Sequence, residues 1–372
     1  MELDRQSKVV DADALSKYRA AAAIANDCVQ QLVANCIAGA DVYTLAVEAD
    51  TYIEQKLKEL KAGVEVGSLP TCLAVNNCTG YNSPIKAGEQ MLKPGDIVKI
   101  TTGCHVDGHI AVNGHTHVVG VLDKPMTGRQ ADVVVATHCA AEAVHRMLRP
   151  GLKSEAIPHM IETIASYFRC KPVATNYTCN MRRFVLEGDK IVLNGKSEDC
   201  PPPFVVEEDD VFNVDIMLST GAGSVRDRGA RPTVYQRDLN QRYDLRTRAA
   251  RSLYSQVTAR HPSMPFSIRG FALKDRLGLK DCLDHKLLLL PYDINYEREG
   301  EFVAQIKFTA IVKAEGTLRL CSHPPPYVRT IYEIKSKEVQ ELLQEDAPKE
   351  GPTTPLPVNC KPEEFQAVQA EE

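Results

Sequence analysis

The hydrophobic pattern of the first sixty residues predicts two helices. The stretch "DALSKYRAAAAIANDCVQQLVANCIAG" is rich in Ala and Leu and stops at a glycine, as helices often do. The next stretch, "DVYTLAVEADTYIEQKLKEL", has Asp41 as a candidate N-cap and apolar residues at helical spacing. Two more helices are predicted further on, at "GRQADVVVATHCAAEAVHRMLRPG" and "KSEAIPHMIETIASYF".

Between and after these helices, the pattern changes to the alternation typical of strands. The stretch "VKITTGCHVDGHIAVNGHTHVVG" places Asp107-Gly108 between two alternating runs, which predicts a β-hairpin. Further strand-like runs occur near "RRFVLEG", "PFVVEEDDVFNVDIMLSTG", "KLLLLPYDIN" and "EFVAQIKFTAIVKAEGTLRL". This order of elements predicts an α+β fold in which helices cover one face of a largely antiparallel sheet.

The net charge of −5 hides a strongly basic block. Residues 226–276 contain twelve arginines and lysines against four aspartates, which gives the block a net charge of +8. Within it, "RYDLRTRAARSLYSQVTAR" predicts an amphipathic helix. Its apolar stripe would hold Leu245, Ala249, Leu253 and Val257, and Arg248 and Arg251 would lie on the opposite face.

The C-terminal stretch from Glu338 carries nine acids against two lysines and several prolines. Such a composition buries too little apolar surface to fold, so a disordered acidic tail is predicted. No window has the apolar length of a secretory signal or a spanning helix, which leads us to expect a soluble, intracellular protein without membrane contact. The twelve cysteines are irregularly spaced, so free buried thiols are expected.

Six stretches together resemble one family, and they follow its order along nearly the whole chain. They are "VNNCTGYNSP" (75–84), "LKPGDIVKITTGCHVDGHIA" (92–111), "VFNVDIMLSTGAG" (211–223), "RPTVYQRD" (231–238), "MPFSIRGF" (264–271) and "GEFVAQIKFT" (300–309). The family is that of the pita-bread aminopeptidases, in particular the type-two methionine aminopeptidases and their proliferation-associated (ErbB-receptor-binding) branch. The resemblance implies a pita-bread domain over 1–335 with a basic helical insertion at 226–286, followed by the acidic tail at 336–372.

The resemblance also implies where a metal centre would stand. In active members, two Asp, one His and two Glu hold two divalent cations, and such cations prefer oxygen-rich ligands. The matching positions here are Thr101, Val112, Cys179, Asp215 and Lys307, and Tyr81 stands where the family has a substrate-side His. Val112 has no ligand atom and Lys307 would repel a metal. We therefore expect no metal, no cofactor and no peptidase activity.

Two points about this degenerate pocket stay open at the level of the sequence. Lys307 would either pair with Asp215 as a buried ion pair or reach to solvent. The hairpin also carries His105, together with three histidines that alternation places on the face opposite the pocket: His109, His115 and His117. His115 and His117 could bind a metal ion together. The alternative, which is commoner for histidines, is that they are exposed or hydrogen-bonded without a metal.

With catalysis removed, the resemblance implies a scaffold that binds the large ribosomal subunit. Its partners would be rRNA and ribosomal proteins near the exit tunnel, and it would act as a monomer in ribosome assembly or translation regulation. Its location would be cytoplasmic, with a nuclear and nucleolar pool. The basic block is an independent reason to expect RNA binding, because arginine guanidinium groups attract phosphates and can donate two hydrogen bonds to one phosphate. The candidate RNA contacts are Arg226, Arg228, Arg231, Arg237, Arg242, Arg246, Arg248, Arg251 and Arg260.

Two other functions remain alternatives. The first is an active, divalent-metal-dependent methionine aminopeptidase with a divergent site. It would require that several of the metal-ligand positions be assigned wrongly in this sequence. The second is an adaptor that binds peptides or proteins without cutting them.

Overall fold

A computed structural model describes residues 10–60, 63–120, 124–197, 200–241, 244–284 and 288–349 of the 372-residue chain. The described residues form eight α-helices: α1 (Ala12–Asn35), α2 (Val42–Lys58), α3 (Arg129–Met147), α4 (Ala156–Tyr167), α5 (Arg248–Arg260), α6 (Leu273–Arg276), α7 (Leu279–Asp284) and α8 (Lys337–Gln344). In this part of the chain, no helix combines the length and the apolar character needed to cross a membrane.

The strands of the described residues are β1 (Val66–Val75), β2 (Ile97–Val106), β3 (His109–Val118), β4 (Lys171–Pro172), β5 (Tyr177–Met181), β6 (Ile191–Leu193), β7 (Val211–Ser219), β8 (Arg226–Asp227), β9 (Val234–Arg237), β10 (Phe266–Ser267), β11 (Leu289–Tyr292), β12 (Asn295–Tyr296), β13 (Val303–Ile311) and β14 (Leu318–Arg319). The main sheet has the order β1-β2-β3-β13-β7-β5-β6, with β14 beside β13 and β4 beside β7. Every pairing within it is antiparallel.

The predicted element boundaries follow from local chemistry. The Asp41 side chain accepts a hydrogen bond from Thr44 N at 3.3 Å, so the N-cap predicted for α2 is confirmed. Asp107 and Gly108 have φ angles of 52° and 79° between β2 and β3. Two successive positive φ angles are the mark of the tight turn that matches strand twist, and the predicted hairpin is confirmed.

Helices cover one face of the main sheet, as the α+β prediction requires. Helix α1 packs on β2 and β3, α2 on β1, and α3 on β7 and β13, while α4 and α8 lie against α3. The resulting core is mostly aliphatic, with Ile53, Ile97, Val133 and Ile161 fully buried. Ten of the eleven described cysteines are buried and free, as predicted, and Cys200 is exposed.

The basic block folds around a second, smaller core. Strands β10-β9-β11 form a three-stranded sheet, and α5 packs against α6 and α7. The buried side chains of this core include Leu253, Val257, Phe266 and Leu289. The short β8–β12 ladder pairs the chain that leaves β7 with the chain that returns to β13. We call residues 226–296 the insertion subdomain.

Three local predictions are wrong. The run 182–188 forms no strand, because Phe184 takes a φ of 62° and Arg183 is held by the Asp107 carboxylate at 2.5 Å. In α5, Ala250 is fully buried in place of Ala249, and the helix begins only at Arg248.

The disordered tail is also predicted to begin too early. Residues 337–344 form α8, which buries Val339 and Leu343 against the main core, since its apolar residues recur at helical spacing. Lys349 pairs with Glu142 of α3 at 2.8 Å, which holds this segment further. The remainder of the predicted tail, 350–372, lies outside the described residues.

Candidate functional site

Four neighbouring strands bring the candidate pocket residues into one row across the main sheet. Thr101 of β2 faces Gly114 of β3, which faces Lys307 of β13, and Lys307 faces Asp215 of β7. Residues paired across strands point to the same side of a sheet. Val112 lies two positions before Gly114, so it shares this face, as alternation predicted.

Lys307 and Asp215 form the ion pair that the sequence left open. The Lys307 ammonium is 3.1 Å from Asp215 Oδ2, and the two side chains are only 10% and 5% exposed. Burial lowers the pKa of Lys307, but the attraction and hydrogen bond of the Asp215 carboxylate more than offset it, so the pKa is raised overall. The lysine therefore stays charged and neutralises Asp215.

Gln305 completes this polar row, and no sequence pattern pointed to its role. Its Nε2 donates to Asp215 Oδ1 at 2.8 Å, so each carboxylate oxygen has a partner. Its Oε1 accepts from the Thr101 hydroxyl at 3.3 Å. The lack of a side chain at Gly114 makes room for Lys307, since a Cβ there would overlap the lysine Cβ.

This donor set does not fit a pair of divalent cations. Asp215 is already bonded to Gln305 and Lys307, and a lysine ammonium repels a metal. Val112 offers no ligand atom, and the Cys179 thiol points to Leu186 O at 3.7 Å. Burial raises the pKa of Cys179 to about 12, so it is a thiol rather than a thiolate ligand at neutral pH. Among the described residues, no three His, Cys, Asp or Glu side chains are grouped as metal ligands.

A cavity of about 200 Å³ lies over this row, between the main sheet and the insertion subdomain. Its lining includes Thr101, Val112, Asp215 and Lys307 from the main sheet, and Val234 and Tyr292 from the insertion subdomain. Tyr81 also lines it, with a φ of 53°. A non-glycine residue held in this left-handed region costs about 1–3 kcal/mol and is typical of functional sites.

The cavity lining also holds three residues that sequence reasoning missed. Tyr177, Glu187 and Tyr292 line it together with Tyr81. Burial raises the pKa of all three tyrosines, and the Glu187 carboxylate raises them further. No motif marked these side chains, because they come from the first residue of β5, from the loop after it, and from the insertion subdomain.

The hairpin histidines lie away from the cavity. The His109 ring packs on Tyr18 of α1 at 4.9 Å, and the His115 ring lies 4.4 Å from that of His323. His109 and His115 thus lie on the face opposite the pocket, as alternation predicted. Burial lowers the pKa of His105 and of His117 to about 4, so both are neutral at pH 7.

Eight of the nine arginines predicted to contact RNA lie in the described residues, and Arg242 lies outside them. Arg237 is partly buried over the Tyr254 ring. The exposed ones are Arg226, Arg228, Arg231, Arg246, Arg248, Arg251 and Arg260.

Some of these guanidinium groups have structural partners. Arg251 donates to Leu245 O at 2.8 Å and Arg246 O at 2.9 Å, Arg228 donates to Glu297 O, and Arg260 donates to Gly270 O. No ion pair joins any of the eight arginines to an acidic side chain within the described ranges.

Comparison with known proteins places the chain in a family. Residues 16–221 match the description "Metallopeptidase family M24". Proliferation-associated protein A of Dictyostelium discoideum is 34% identical over 360 residues, which cover 93% of this chain and 90% of that protein. ERBB-3 binding protein 1 of Solanum tuberosum is 37% identical over 331 residues, which cover 86% of this chain and 85% of that protein.

The fold agrees with this assignment. The solved structure of a thermophilic Arx1 matches with a TM-score of 0.86 at 22% identity, over 92% of this chain and 100% of that one. The pita-bread α+β architecture that the sequence pieces implied is confirmed. The chain belongs to metallopeptidase family M24, and it resembles the proliferation-associated and ERBB-3 binding proteins over most of its length.

Proposed function

We propose that this methionine-aminopeptidase-like protein has lost catalysis and binds the large ribosomal subunit through rRNA. The support for the first half is the Lys307–Asp215 ion pair, which fills the centre of the ligand row with an ammonium group. Two metal ions bring four positive charges that several carboxylates must balance. Because Lys307 and Asp215 neutralise each other, the row has no net negative charge with which to balance metal ions.

The main support for RNA binding is a set of exposed arginines that have no acidic partner among the described residues. The guanidinium groups of Arg226, Arg231, Arg246 and Arg248 make no hydrogen bond or ion pair with the described residues. An arginine already neutralised by a carboxylate releases few counterions when it meets a phosphate, whereas an unpaired one contributes fully. Structured RNA is bound largely through its shape and backbone, which suits a rigid, basic platform.

Ribosome binding is expected to depend on salt and on these arginines. In co-sedimentation with purified large subunits, Arg246→Ala/Arg248→Ala should weaken binding about tenfold at moderate salt. It should also make the plot of log affinity against log salt less steep by about one to two units. Arg251 is left in place, because its bonds to Leu245 O and Arg246 O stabilise the start of α5.

The matched control removes two exposed lysines outside the insertion subdomain. Lys58→Ala/Lys153→Ala changes the net charge by the same amount, and both lysines are exposed and make no ion pair with a described acidic residue. Affinity equal to that of the wild type is expected for this control. If both double variants lose the same affinity, or if binding does not respond to salt, the assigned surface is wrong.

Peptidase activity is expected to be absent. The full chain, incubated with a Met-Ala-Ser peptide and cobalt or manganese, should release no methionine above the level without protein. Metal content measured on the purified protein should stay well below one ion per chain. Release of methionine that a chelator abolishes would favour the alternative of a divergent aminopeptidase.

The finer parts of the proposal rest on the resemblance to the proliferation-associated and ERBB-3 binding proteins. The ribosomal contacts would lie near the exit tunnel and include ribosomal proteins, and the role would be in subunit assembly or in translation regulation. The protein would act as a monomer in the cytoplasm, with a nuclear and nucleolar pool. Fractionation of cells followed by sucrose gradients, with and without RNase, tests the location and the dependence on RNA together.

A further inference from the structure

The central cavity has a second polar side that the lost metal chemistry does not explain. Tyr81 and Tyr292 stand with ring centroids 4.7 Å apart and planes inclined by 43°. Tyr177 lines the same cavity, and so does the carboxylate of Glu187. Three tyrosines and one glutamate thus line one small cavity.

Glu187 is the member of this group without a counter-charge. No Lys, Arg or His nitrogen lies within ion-pair distance of its carboxylate in the described part of the chain. The Tyr292 hydroxyl lies 3.2 Å from Glu187 Oε1, but it is closer to Gln236 Oε1, at 2.6 Å. A half-buried carboxylate with one weak donor and no cation is incompletely satisfied.

The sign of the local charge favours a positive ligand. Lys307 and Asp215 cancel each other across the floor of the cavity. Glu187 and Asp293 remain, and both line the cavity. The raised pKa of Tyr81 and of Tyr292, caused first by burial and then by Glu187, keeps these rings as neutral phenols. Neutral aromatic rings attract a cation through their faces.

We propose that the cavity binds a methylated ammonium group, with Tyr81, Tyr177 and Tyr292 as an aromatic cage and Glu187 as its counter-charge. A methylated ammonium is weakly hydrated, so it loses less hydration free energy than a lysine ammonium when it leaves water. Aromatic cages select it for this reason. The cavity volume of about 200 Å³ also suits a single head group rather than a drug-sized molecule. The group would come from a small quaternary amine or from a methylated lysine side chain.

Choline and its neutral isostere 3,3-dimethylbutan-1-ol give the direct test on the full chain. In NMR titrations, choline should bind at least about tenfold tighter than the neutral isostere, because only choline carries the charge. Trimethyllysine should bind tighter than lysine, and comparing it with choline tells which source fits the cavity better. Equal affinity for choline and its isostere, or for lysine and trimethyllysine, would overturn the proposal.

Variants assign the binding to the named residues. Glu187→Gln keeps the shape of the side chain and should weaken choline binding about tenfold or more. Tyr81→Leu removes one ring and should also weaken it. The matched control is Glu208→Gln, an exposed glutamate outside the cavity, which should bind choline like the wild type. Unchanged affinity in Glu187→Gln, with an unchanged melting temperature, contradicts the proposed site.

Discussion

Replacing Lys307 by methionine should lower the free energy of unfolding by about 3–5 kcal/mol, because it leaves the carboxylate of Asp215 buried without its counter-charge. The Asp215 side chain is 5% exposed, and among the described residues its carboxylate would keep only the hydrogen bond from Gln305. Methionine matches the length of the lysine hydrocarbon chain, so the loss of stability reflects the missing charge rather than a new cavity. Denaturant unfolding at pH 7 measures it.

The pH dependence of this difference has a definite sign. The folded-state pKa of Lys307 is raised above its ordinary value of 10.5. The contribution of the pair is therefore fully present at neutral pH, and it is lost as the pH rises through the raised pKa. The gap in stability between wild type and Lys307→Met should be constant from pH 7 to pH 9 and should narrow above pH 10.5.

Two further variants make this result specific. Lys307→Met/Asp215→Asn removes both charges while leaving an oxygen for Gln305, so it should recover most of the lost stability. Lys196→Met, at a side chain that is 86% exposed, should change stability by less than about 0.5 kcal/mol. If Lys307→Met is as stable as the wild type, the pair does not balance a buried charge.

The second large effect is expected at Glu142 of α3. Its Oε1 accepts from Arg319 at 2.7 Å, and its Oε2 accepts from Arg146 at 2.6 Å and from Lys349 at 2.8 Å. The Glu142 side chain is only 2% exposed. Glu142→Gln leaves three adjacent cations around a neutral amide, and we expect a loss of about 3–5 kcal/mol by denaturant unfolding.

Acid titration provides an independent readout of the same cluster. Burial by itself raises the pKa of Glu142, but Arg319, Lys349 and Arg146 more than offset it and hold the pKa well below its usual range. The cluster thus stabilises the fold above the ordinary glutamate pKa and loses its effect as the pH falls through the lowered value. The stability gap between wild type and Glu142→Gln should therefore be constant above about pH 5 and should narrow as the pH falls below the ordinary glutamate pKa of 4.5, which denaturant unfolding at a series of pH values measures. Glu162→Gln, in an exposed pair with Lys196, serves as the control and should lose less than about 1 kcal/mol.

Local patterns were enough to predict much of the fold. The hairpin followed from Asp107-Gly108 between alternating runs, and the start of α2 followed from Asp41, because each signal lies within a few residues of the element it fixes. Matching six short stretches to a family then placed Lys307 and Asp215 at the centre of one site. Only the register of β7 and β13 decides that they touch.

The failures all depend on contacts between distant parts of the chain. The run 182–188 has strand composition, yet its Arg183 is held by the turn between β2 and β3. The acidic composition after Glu338 hid the two apolar residues, Val339 and Leu343, that anchor α8. The tyrosines and the glutamate of the cavity come from distant segments, with Tyr292 lying 105 residues after Glu187, and a single sequence carries no signal for such a contact.

The mutual neutralisation of Lys307 and Asp215 limits which single substitutions this pocket can accept. A single substitution of Lys307 by glutamate would set two carboxylates side by side on adjacent strands, because the two positions face each other in the register. Such like charges destabilise a buried site, and the hydrocarbon side chain at Val112 would still offer nothing to a metal. Replacing Lys307 alone by glutamate should therefore destabilise the fold without assembling a set of metal ligands.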